Sequence, residues 1–192
     1  MSGRGDGPPE PGDAQGHRVD GDGSMRAAEA AGQMVEVVDA SGRVVRTVPR
    51  HEMRSGRLRH RCVFVAVIGS DGRLLVHRRA DWKDTAPGWW DVALGGVVGT
   101  GEAWDDAARR ELAEEAGVAG VTLERLGAGE YADGVVDELA EVYLARTDGP
   151  FAFADGEVVE VAWVARAALD AWLAERPVCP DSVALVLPRL PW

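Results

Sequence analysis

The segment Gly95–Val118 constrains the fold of this chain more than any other. It reads as a glycine pair, Gly95-Gly96, then a loop, then a helix from about Ala103 to Ala116. Gly117 stops that helix, as a left-handed C′ residue does. Glu111, Glu114 and Glu115 stand at i, i+3 and i+4 on it. At about 100° per residue they fall within roughly a third of the circumference. Like charges at that spacing cost about 0.2–0.5 kcal/mol per pair on an isolated helix. They should raise one another's pKa, and the arrangement makes sense if a cation sits over that face. Ala108, Leu112 and Ala116 form an apolar stripe beside the carboxylates rather than among them. The helix start has no capping hydroxyl at Ala103, although Asp105 and Asp106 suit the positive end of the dipole.

Around this unit the chain alternates strand and helix patterns. Met34–Val38 and Arg43–Val48 flank a turn-rich spacer and predict a hairpin. His51–Gly56 predicts a short helical link. Cys62–Ile68 is apolar and β-branched, a buried strand, with an antiparallel partner expected at Arg73–His77. Trp90–Leu94 predicts a short strand entering the glycine pair. Val121–Gly127, Glu130–Tyr131, Ala140–Ala145 and Val158–Val164 predict further strands, and Ala167–Ala174 an amphipathic helix. Asp181 or Ser182 is expected to cap a last helix through Leu187. The order is neither regular βαβ repeats nor all-α. It predicts an α/β fold, a mixed sheet between helices in an α/β/α sandwich. Residues 1–30, rich in Gly, Asp and Pro, are expected to be a disordered leader before one domain over residues 31–192.

Composition narrows the function classes. A net charge of −11 argues against non-specific binding to nucleic acid or an anionic membrane. An anionic substrate then needs a metal or local cations to hold it. Arg78 and Arg79 after a strand, and Lys83 in the next loop, are candidates for that role. Trp82, Trp89, Trp90 and Tyr131 either stack on a substrate or pack in the core, with core expected for at least two of them. Glu157 and Glu160 flank Val158-Val159. The period of two puts Val159, Val161 and Trp163 on one face and Glu160 on the other, a further acidic candidate. Cys62 and Cys179 give no disulfide framework, and Cys62 is expected in the core. No run reaches the roughly 18 apolar residues of a membrane span, and no basic-then-apolar signal opens the chain. The expected location is the cytoplasm.

The residues Gly96, Glu102, Arg110, Glu111, Leu112, Glu114, Glu115, Gly117 and Val118 resemble the Nudix box, G-x5-E-x7-R-E-U-x-E-E-x-G-U with U apolar, at every fixed position. That resemblance implies the Nudix fold and a hydrolase using Mg²⁺, with Mn²⁺ as a substitute. Glu114 and Glu115 match its metal ligands, and Glu111 a ligand or base. Arg110 matches the arginine that orients the acidic cluster. Glu102 matches a bracing loop glutamate, Gly96 and Gly117 the structural glycines, and Gly95 a residue whose carbonyl serves as a backbone ligand. The implied reaction is attack of water on a diphosphate linkage in a nucleoside diphosphate-X or related small molecule. A small-molecule partner is implied, no nucleic acid or membrane, and a homodimer is compatible. Over residues 34–188 the chain looks like the YfcD-like branch, which resembles isopentenyl-diphosphate isomerases. The carrying segments are Leu58–Arg61, Leu75–Arg79, Pro87–Asp91 and Cys179–Ser182. His60 matches an isomerase metal-ligand histidine, but the isomerase's cysteine has no counterpart in Asp91–Gly96. Hydrolysis is therefore favoured over isomerisation, and a structural or pocket role for His60. The alternative of another class is a non-catalytic metabolite sensor, which the intact box disfavours.

Overall fold

The computed structural model describes residues 22–192. From Asp22 the chain runs α1 (Asp22–Gly32), β1 (Met34–Val38), β2 (Val44–Pro49) and α2 (Arg50–Gly56). It continues through β3 (His60–Ile68), β4 (Leu74–Arg79), β5 (Trp90–Asp91), β6 (Leu94–Val97) and α3 (Trp104–Ala116). Then come β7 (Leu123–Ala132), β8 (Asp137–Arg146), β9 (Val158–Val164), α4 (Arg166–Ala174), α5 (Pro180–Val186) and a 3-10 turn. The expected leader overlaps α1, so its last residues are helical. Its remainder lies outside the described residues.

β3 is the organising strand. It pairs in parallel with β8 along its whole length and antiparallel with β6 from Cys62↔Val97 to Val65↔Leu94. Cys62, Phe64, Ala66 and Ile68 face one apolar cluster, which includes Leu169, Leu185 and Val186 of α4 and α5. Val63, Val65 and Val67 face the other, with Ala107, Ala108, Leu112 and Ala116 of α3. Burial on both faces explains why the run is continuously apolar rather than alternating. The result is the expected mixed sheet between helices.

Four local expectations change. β4 meets β3 only at Ile68↔Leu74, because β6 and β8 occupy both edges of β3; β4 pairs instead with β9 and β5. The single strand expected at Trp90–Leu94 is two, β5 on β4 and β6 on β3. Between them the Asp91 carboxylate accepts the Ala93 N–H at 3.2 Å. The two candidates at Val121–Gly127 and Glu130–Tyr131 are one strand, β7, with an irregularity between Arg125 and Gly127. α5 starts after Cys179 without a side-chain cap. Pro180 supplies the fixed first turn, and Asp181 accepts the neighbouring Ser182 N–H instead. α3 also lacks a side-chain cap at Ala103, as expected, and ends on Gly117 at φ 68°. Among the described residues no helix is long and apolar enough to cross a membrane.

Candidate active site

α3 presents Arg110, Glu111, Glu114 and Glu115 toward the glycine strand β6, but not as one exposed face. Glu111 and Glu115 turn in with the apolar stripe and are buried, at 8% and 3% exposure. The Glu114 side chain stays more than half exposed. Arg110 joins them. Its Nη1 donates to Glu111 Oε1 at 2.7 Å and Glu114 Oε2 at 3.0 Å. Its Nε and Nη2 fork onto Glu102 at 2.8 and 2.9 Å. Glu102 also accepts the Gly99 N–H at 2.8 Å, so the loop, the arginine and the helix form one bracket. Glu115 accepts the Gly95 N–H at 3.0 Å.

The glycine pair has two different reasons. A Cβ on Gly95 would lie 2.0 Å from the Val63 carbonyl oxygen, so β6 could not approach β3. A Cβ on Gly96 would lie 2.7 Å from Glu111 Oε1. Glycine at 96 leaves that carboxylate open to the cavity.

Burial raises the Glu111 pKa, with Arg110 opposing it and Glu114 adding to it. Burial also raises Glu115 well above the usual carboxylate range, and Glu111 and Glu157 push the same way. The expected cause, mutual repulsion on the helix, is thus secondary to desolvation.

Arg110, Glu111 and Glu114 open onto a cavity of about 400 Å³, while Glu102 and Glu115 stand behind its wall. Gly95, Gly96, Arg110, Glu111, Glu114, Arg79, Lys83 and Trp89 all line it. Trp90 instead packs edge-on against Trp172, 5.1 Å between centroids, and Tyr131 packs on the core. Two predicted residues fall elsewhere. Arg78 and Glu160 are cross-strand partners joined by a 3.2 Å ion pair, away from the cavity. Side chains alternate along a strand, so Arg78 points away from the face of Arg79, and its cross-strand partner Glu160 goes with it. Glu157, just before β9, takes the place expected of Glu160. It lines the cavity, pairs with Lys83, and brings its charge to bear on Glu115. Burial pushes its carboxyl up, but Lys83 outweighs that and holds it below the ordinary value.

Sequence reasoning missed Arg50 and Arg54, which also line the cavity from α2. Their i,i+4 spacing was the available signal. Among the described residues, His60, Cys62 and Glu138 form a group able to hold a metal, with ligand atoms within 4.8 Å of one another. Burial lowers His60 to about 4, raises Glu138 to about 8 and raises Cys62, so all three are uncharged near neutral pH. Both cysteines are free and buried.

Comparison with known proteins agrees with this geometry. The NUDIX domain family model matches residues 58–181. The uncharacterized Nudix hydrolase YfcD of Escherichia coli K12 is 36% identical over 135 residues, covering 70% of this chain and 75% of the relative. The uncharacterized Nudix hydrolase SCO1686 of Streptomyces coelicolor is 38% identical over 168 residues, covering 85% and 90%. The crystal structure of DR0079 from Deinococcus radiodurans superposes with a TM-score of 0.72 at 26% identity, covering 82% of this chain and 99% of that one. With a complete box on α3 and its preceding loop, and relatives matched over most of their length, the chain belongs to the Nudix family of hydrolases.

Proposed function

We propose that the protein is a Mg²⁺-dependent hydrolase, with Mn²⁺ able to substitute, that cleaves a diphosphate linkage in a nucleoside diphosphate-X or related small molecule. One observation carries the reading. Glu111 and Glu114 line a cavity with the buried Glu115 behind them, so three carboxylates on one helix stand against Arg110, which pairs with Glu111 and Glu114. The three glutamates offer only carboxylate oxygens, the donor type that hard divalent cations take. The space that glycine leaves at position 96 fits such an ion's approach to Glu111.

A bound divalent ion would lower the pKa of a water and offset charge on phosphate oxygens. The chain's own residues do the rest. Arg110 fixes the orientation of Glu111 and Glu114 through one nitrogen, while Glu102 fixes Arg110. Glu111, whose proton affinity is raised by burial, is suited to take the proton of the attacking water as its oxygen bonds to phosphorus. The bond from phosphorus to the bridging oxygen breaks, giving two phosphate-bearing fragments or one and inorganic phosphate. Arg79 and Lys83 offer donors to the substrate's phosphates, and Trp89, 40% exposed in the cavity, offers a face for the attached group. The reading places the enzyme in the cytoplasm.

The test is a panel of nucleotide sugars, dinucleotides, coenzyme A and isoprenoid diphosphates, with Mg²⁺ or Mn²⁺ and product identification. Turnover is expected for at least one class, and the Glu114→Gln/Glu115→Gln double variant should lose it by orders of magnitude while its circular dichroism is unchanged. Full activity in that variant would falsify the reading.

A further inference from the structure

We propose that Arg50 and Arg54 form a second anion subsite, which holds a phosphomonoester group of the substrate other than the diphosphate at the glutamates. The proposal rests on the reading of the glutamate cluster as the hydrolytic centre, and adds a substrate class: a diphosphate carrying a further phosphate.

Three observations carry it. The two arginines belong to α2, before the residues 58–181 that the family model covers, yet both line the main cavity. They also line an adjoining cavity of about 300 Å³, so with Lys83 and Glu157 they stand where the two cavities meet. Second, the other cavity cations have carboxylates of their own. Lys83 faces Glu157, Arg79 faces Asp91, and Arg110 faces three glutamates. Among the described residues Arg50 and Arg54 share one carboxylate ion pair, Asp84, whose Oδ2 accepts from their Nε atoms at 2.9 and 3.3 Å. The group therefore carries one positive charge in excess, inside a chain of net charge −11. Third, the two side chains are only 14% and 18% exposed, so water screens that charge poorly.

Two guanidinium planes converging on one point match a phosphate, which accepts paired N–H bonds from each. Asp84 gathers the forks in the unliganded protein and is the internal anion that an incoming phosphate joins or displaces. The two arginines bring their field to that carboxylate strongly enough to overcome burial and hold its pKa far below the usual range. On this arrangement the segment ahead of the family core selects the substrate, while the box performs the chemistry.

The experiment is calorimetric titration of the full chain with inorganic phosphate in the presence of a chelator, where the glutamates alone repel the anion. Saturable binding is expected. It should weaken more than about tenfold in an Arg50→Gln/Arg54→Gln/Asp84→Asn triple variant, which removes the site without leaving an unpaired carboxylate. Asp84→Asn alone should tighten phosphate binding, because the competing internal anion is gone. An ion pair that merely anchors α2 would give no such gain, so this variant decides the matter even if the triple variant fails to fold. No saturable binding, equal binding by the folded triple variant, or unchanged or weaker binding by Asp84→Asn overturns the proposal. The Glu114→Gln/Glu115→Gln variant should keep phosphate binding. A hydrolase reading that fails thus appears as absent turnover with binding intact.

Discussion

Arg110→Met separates the two jobs of the box arginine. Methionine keeps most of the stem's packing and deletes the guanidinium. Three ion pairs go with it. The Glu114 pair is exposed and contributes about 0.5 kcal/mol. The pairs to Glu102 and Glu111 are more sheltered, with carboxylates 19% and 11% exposed. Each costs about 1–2 kcal/mol when one partner is removed, discounted from the 3–5 of a fully buried pair because Arg110 itself is partly solvated. The expected loss is about 3 kcal/mol in urea denaturation without divalent cation. The same deletion removes a positive charge at hydrogen-bonding distance from two of the glutamates. After screening that is about 1–2 kcal/mol, or roughly tenfold tighter Mg²⁺ binding. The variant should therefore gain more in melting temperature from millimolar Mg²⁺ than wild type does, against a Na⁺ control of equal ionic strength. Turnover should nevertheless fall, since Glu111 and Glu114 lose their fixed orientation. A variant as stable as wild type, or one that Mg²⁺ stabilises less, refutes this account of Arg110.

Gly95→Ala should prevent folding or cost more than about 3 kcal/mol, read from expression and urea midpoints, because its Cβ meets the Val63 carbonyl at 2.0 Å; a variant that melts like wild type contradicts the close strand approach. Burial lowers His77 and His60 to about 4, so the stability this represents is present above 6.5 and lost as pH falls toward 4, about 3 kcal/mol for each histidine. His77→Gln should flatten the acid limb of a urea-midpoint profile, and parallel profiles would sink the assignment. Glu138, raised to about 8 by burial, has the opposite sign: stability is highest below 4.5 and falls as pH rises to 8, so Glu138→Gln should flatten the alkaline limb.

Much of the active site was readable because it is local. Gly95 to Val118 is one loop and one helix, and helical periodicity alone sets Arg110, Glu111, Glu114 and Glu115 next to one another. The layer order was readable too, since a strand as apolar as β3 must be covered on both faces. Local patterning did not show that Glu111 and Glu115 are buried while Glu114 is not; that follows from how α3 leans on β3 and β6. Nor did it show that Glu157 rather than Glu160 reaches the site. The pairing of β9 with β4 decides it: Glu160 lies opposite Arg78, on the face away from Arg79, while Glu157 precedes the strand, where a period of two does not apply. Arg50 and Arg54 looked like ordinary charges on a short helix. Only the packing of α2 beside the loop of Asp84 puts two guanidiniums on one carboxylate at the cavity wall. The sequence by itself determined which ionisable groups of α3 stand together, because their spacing lies within a single helix. The tertiary structure decided their burial, their charge balance and their company, because those depend on contacts between segments far apart in the chain.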